Sequence, residues 1–151
     1  MPTSSQLVTA SLAASKPNDV VLSPDGTRIY AARSDGFLRV YDVETGKLIH
    51  TWDVGTRLGG IDISADGSYL IAVDLEPVSA VFAEDPRNNQ FQFVTHRVDL
   101  ATGQVTDYPV ALTGYEYGFW DAAILSNGSV LLTGRVVPGP PGTMPARILD
   151  L

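Results

Sequence analysis

Apolar residues in this chain come in bursts of three to five, each closed by a turn. The run Val20-Val21-Leu22 stops at Ser23-Pro24-Asp25-Gly26, where proline presets φ and glycine takes the positive-φ position. Ile29 to Ala32 resumes the pattern and Ser34-Asp35-Gly36 breaks it again. Leu38, Val40 and Val43 then alternate loosely with polar residues, and Thr45-Gly46 reverses the chain into Leu48 to Val54. Alternation punctuated by glycine turns predicts four short antiparallel strands within residues 19–54.

The pattern repeats. Residues 7–26 and 48–67 align at an offset of 41, with Ser64-Ala65-Asp66-Gly67 in place of the first turn. A third copy follows at Ala122-Ala123-Ile124-Leu125-Ser126-Asn127-Gly128. Gly67 and Gly128 are 61 residues apart, so the second repeat carries an insertion of about 16 residues and a few more later. A second motif recurs in the same order: Tyr41-Asp42-Val43-Glu44-Thr45-Gly46 returns as Val98-Asp99-Leu100-Ala101-Thr102-Gly103, and Leu149-Asp150-Leu151 begins it again.

Four-stranded units repeated in this way predict an all-β fold of β-propeller blades, about three of them, in a single propeller segment over residues 1–151. Residues 6–12 read as a lone outer strand, 19–54 as the first blade and 60–110 as the second with an insertion at 74–90. Residues 120–151 read as a third blade without its outer strand. Recurrence of Asp42, Asp99 and Asp150 at one repeat position predicts a structural role, bonding nearby backbone N–H groups. Three blades do not close a ring of ordinary wedge geometry. The chain therefore reads as part of a longer polypeptide, a truncated one, or one of several copies that close a ring by oligomerisation.

Composition narrows the partners. The net charge of −7, with no cluster of Lys or Arg, argues against nucleic acid. No apolar run approaches the roughly 18 residues of a membrane helix, so no membrane insertion is expected. The opening MPTSSQLVTASLAAS lacks the basic and apolar regions of a secretory signal, and the compartment stays open. There is no cysteine to form a disulfide or thiolate site. His50 and His96 stand alone in the sequence, without a neighbour at metal-ligand spacing, so neither metal nor cofactor is expected. No nucleophile elbow, P-loop or dinucleotide fingerprint appears, so no catalytic residue is assigned.

Ser23-Pro24-Asp25-Gly26, Ile29-Tyr30-Ala31-Ala32, Val40-Tyr41-Asp42 and Glu44-Thr45-Gly46-Lys47 together resemble the YVTN-type bacterial propeller repeat, related in pattern to WD-repeat and lactonase-type propellers. The second repeat keeps Ser64, Asp66-Gly67, Asp99 and Ala101-Thr102-Gly103; the third keeps Asn127-Gly128 and Asp150. The resemblance implies fold rather than function, since the family holds surface and adhesion proteins, binding modules and enzymes.

In such a fold the long connections gather on one face. Residues 74–90 carry Glu76 and Arg87, the loop near Val54 to Leu58 carries Arg57, and residues 113–121 carry Tyr115, Glu116, Tyr117, Trp120 and Asp121. The proline-rich 137–145 is a further long connection. Aromatic rings beside carboxylates and arginine suit a surface for a protein or carbohydrate ligand. The expected function is a non-catalytic binding module on that face. Two alternatives remain: a lactonase-like metal-dependent hydrolase using Glu76, Glu116 or Asp121 at an axial site, and a structural repeat of a larger surface or secreted protein.

Overall fold

In the computed structural model, residues 16–113, 116–136 and 146–151 are described. The outer strand expected at 6–12, the connection at 137–145 and Tyr115 lie outside the described residues. Among the described residues the fold is all-β, with antiparallel sheets of the propeller-blade kind that do not close into a ring.

The first sheet is a meander of β1 (Asp19–Leu22), β2 (Arg28–Ala32), β3 (Phe37–Asp42) and β4 (Leu48–Asp53), in that spatial order. The second contains β5 (Leu58–Ile63), β6 (Tyr69–Asp74), β7 (Ser79–Val81), β8 (Gln90–Asp99) and β9 (Val105–Thr113). The third is β10 (Glu116–Ile124), β11 (Val130–Val136) and β12 (Ala146–Leu149).

The turns behave as their residues require. Asp25 Oδ1 accepts the Ser23 hydroxyl at 2.6 Å and the Thr27 N–H at 3.0 Å; Asp66 Oδ1 accepts the Ser64 hydroxyl at 2.7 Å and the Ser68 N–H at 3.0 Å. Those bonds hold the pKa of the Asp25 and Asp66 carboxyls down to about 2, the serine hydroxyl contributing most in each. Asp42 and Asp99 likewise accept the Thr45 and Thr102 N–H groups at 2.7 and 2.8 Å, which is the structural task their recurrence predicts.

Two segments depart from expectation. The insertion at 74–90 is not simply a long loop, since β7 and a 3-10 turn at Pro86–Asn88 fall within it. The ten-residue β8 outruns β6, which pairs only with Thr95–Asp99, and its free length pairs with β7 through Gln90–Gln92. Likewise, residues 116–121 form part of strand β10 rather than a loop. Register shifts between Glu116 and Phe119 and between Phe119 and Asp121 scramble the period-two pattern there. Gly118 sits at φ 108°, and a Cβ on it would fall 2.6 Å from the Phe93 ring, so the strand crosses that ring only with glycine.

Two cores lie between successive sheets. Leu38, Leu58, Leu70 and Val98 are buried in the first, and Ile71, Leu112, Phe119 and Leu132 in the second. Burying each such side chain contributes about 1.5–3 kcal/mol. The inner strands β1, β5 and β10 run side by side, so each sheet packs against the next.

Candidate functional site

A cleft of about 380 Å³ opens beside β7, β8, β10 and the connection that leads into β5. Phe82, Phe91, Phe93, Phe119 and Trp120 form its aromatic wall, and Arg57 and Glu76 lie at its polar edge. Alternation puts Phe91 and Phe93 on one face of β8, where both are buried. Phe119 arrives from β10 and is 2% exposed, whereas Phe82 is 72% exposed and Trp120 is 52% exposed. Phe82 stands edge-on to Phe91 with ring centres 5.7 Å apart. Val78 and Val81, also exposed, extend the apolar surface along the insertion. A buried ring floor thus meets a solvent-facing apolar rim.

The polar edge is fixed from below by a buried carboxylate. Asp74 Oδ1 accepts the Arg57 N–H at 3.0 Å and the Glu76 N–H at 3.1 Å, and Oδ2 accepts the Thr56 N–H at 2.6 Å. With both backbones held, Arg57 Nη1 meets Glu76 Oε1 at 3.0 Å, each side chain about half exposed. Beneath, His96 is buried with Nε2 3.6 Å from Asp74 Oδ2 and Nδ1 2.8 Å from Asp107 Oδ1. At 3.6 Å the Asp74 contact is electrostatic, beyond hydrogen-bond range. Burial opposes protonation of His96, but the two carboxylates outweigh it and its pKa is raised. Burial also opposes ionisation of Asp74, and here His96 with the three N–H groups prevails and the pKa is lowered.

The structure therefore brings Arg57, Glu76 and Trp120 to one cleft. Arg87 is not in its wall; its guanidinium forks onto Asp85 two residues away, at 2.6–3.0 Å. Asp121 sits on β10 against Gly60 of β5. Glu116 and Tyr117 are placed on β10 by their backbone alone. Phe82, Phe91 and Phe93 were not among the expected site residues, although Phe91-Gln92-Phe93 carries a strand alternation. His96, solitary in sequence, belongs to a buried pair with Asp74. Among the described residues no group of three or more His, Asp or Glu is arranged to hold a metal ion, and no helix is long and apolar enough to cross a membrane.

No family model matches the chain. A segment of 54 residues is 39% identical to eukaryotic translation initiation factor 3 subunit I of Phaeosphaeria nodorum, covering 36% of this chain and 16% of that protein. The same subunit of Neurospora crassa is 33% identical over 52 residues, 34% of this chain and 15% of the relative. Antigen Lp49 of Leptospira interrogans is 31% identical over 74 residues, 39% of this chain and 16% of the antigen. The matches thus span less than one-fifth of these curated relatives. The antiparallel sheets themselves fit a propeller-like fold.

Proposed function

We propose that this chain is a non-catalytic protein-binding module whose contact surface is the aromatic cleft. The observation that carries this reading is the solvent exposure of Phe82 and Trp120 over buried Phe91, Phe93 and Phe119. Large rings with few rotatable bonds lose little conformational entropy when a partner covers them, which is why such residues dominate binding energies. The partner that fits is a polypeptide segment with apolar or aromatic side chains for the wall. Arg57 and Glu76 supply one charge of each sign at the edge for orientation. That the fungal relatives are named as a subunit of a larger factor supports a role in protein assembly.

The test is capture of binding proteins by the immobilised chain, compared with a variant carrying Phe82→Ser and Trp120→Ser. Selective loss of a reproducible set of polypeptides, with an unchanged circular dichroism spectrum, is the expected result. Retention of that whole set by the folded variant would remove the cleft from the function.

A further inference from the structure

The inner strands carry a system of aspartates that alternates from sheet to sheet. Three backbone bonds set its register. The Ser23 N–H donates to the Arg28 carbonyl at 2.9 Å, the Ser64 N–H to the Tyr69 carbonyl at 2.9 Å, and the Leu125 N–H to the Ser129 carbonyl at 2.8 Å. Each of these donors faces the neighbouring strand of its own sheet. By antiparallel alternation, the N–H groups of Val20 and Leu22, of Ile61 and Ile63, and of Ala122 and Ile124 then point to the open flank of each sheet.

Aspartates accept nearly all of these. Asp19 Oδ1 takes the Val20 N–H at 2.8 Å, and its Oδ2 crosses to the Ile61 N–H of the next sheet at 2.9 Å. Asp62 repeats this two residues further along the register: Oδ1 takes the Ile63 N–H at 2.9 Å and Oδ2 crosses to the Ile124 N–H at 2.7 Å. Asp121, at the register of Asp19, takes the Ala122 N–H at 2.9 Å through Oδ1. Among the described residues its Oδ2 has no donor, and the Leu22 N–H receives no carboxylate.

Sheets one and three are therefore alike, with aspartate at 19 and 121, while sheet two has Gly60 there and its aspartate at 62. The seventh residue after each turn glycine alternates too: Arg33, Asp74, Arg135.

We propose that the open flank of β10 receives the inner strand of a further blade of the β5 type. That strand has no carboxylate at the Gly60 register, a free N–H on the following residue for Asp121 Oδ2, and an aspartate at the register of Asp62. A second copy of this chain presenting β1 is not that partner. Its Asp19 would set a carboxylate opposite Asp121, its Val20 N–H is already taken, and β10 offers Ala123 where Leu22 needs an acceptor.

The test removes from β1 the carboxylate that bars it from β10, leaving Val21 at the register of Asp62. Sedimentation velocity across a dilution series compares the wild-type chain, an Asp19→Gly variant, and that variant with Asp121→Asn added. Asp19→Gly is expected to self-associate, and Asp121→Asn to weaken that association at least about tenfold. Because Asp19→Gly also cuts the bond to Ile61, a second variant leaves β1 intact: Asp121→Gly with Ala123→Asp gives β10 an acceptor for Leu22 of another copy. It is expected to self-associate where Asp121→Gly alone does not. Failure of both variants to associate when folded overturns the proposal. So does wild-type self-association that Asp121→Asn abolishes, which would make the unaltered β1 the occupant.

Discussion

His96 Nε2 faces Asp74 Oδ2 across 3.6 Å of protein interior, and Asp74 in turn holds the backbones of Arg57 and Glu76. The state of one imidazole is thereby tied to the polar edge of the cleft. Because the His96 pKa is raised on folding, its contribution to stability is fully present below the unfolded value of about 6.5 and is lost as pH rises through the folded value. Melting temperatures of the wild type and of His96→Gln, measured from about pH 5.5 to about pH 9, should differ most at the acid end and converge towards the alkaline end. A constant difference across that range would mean that His96 acts by packing alone.

Asp74→Asn removes the charge while nearly keeping the shape. Three N–H groups lose an ionised acceptor, and the amide turns a donor towards one of the oxygen positions. We expect a loss of about 2–4 kcal/mol in urea unfolding. The same substitution should lower the His96 pKa, followed by NMR titration of its ring protons. An unshifted His96 would separate the two groups energetically despite their proximity.

Gly60→Ala tests how closely β5 and β10 approach. A Cβ there would lie 2.6 Å from the Asp121 Cα as well as against its carboxylate, so backbone as well as side chain must yield. The expected cost is about 1–3 kcal/mol. It should persist in an Asp121→Ala background, since the Cα remains in place. Full rescue by that second change would show that only the carboxylate was in the way.

The turns and strands of the first sheet were legible because Ser23, Asp25 and Gly26 each have a local reason to be there, and the same reason recurs at Ser64, Asp66 and Gly67. What escaped depends on distant partners. Two bulges hide the alternation of β10, so Phe119 and Trp120 read as loop residues although one is buried in a core. The strand β7 exists only because β8 runs past β6, a length mismatch that no local residue announces. His96 and Asp74 lie 22 positions apart in sequence, and neither has a motif to betray the other. Arg57, Glu76 and Trp120 were legible as a group only through the shared face of the repeats. The three phenylalanines Phe82, Phe91 and Phe93 that complete their cleft were not.

Phe119 belongs to the wall of the cleft and Phe82 to its rim. Phe119 lies in the second core at 2% exposure, so Phe119→Ala should cost about 3–5 kcal/mol through lost burial and the cavity left behind. Phe82 is 72% exposed, and losing it with its edge-on contact to Phe91 should cost no more than about 1 kcal/mol. Urea unfolding of both variants checks the contrast. If Phe82→Ala proves as costly as Phe119→Ala, the ring is part of the folded core, and its exposure no longer argues for a partner. If it is nearly neutral, the apolar surface it presents is held at no structural need, which is the condition expected of a residue retained for contact with another molecule.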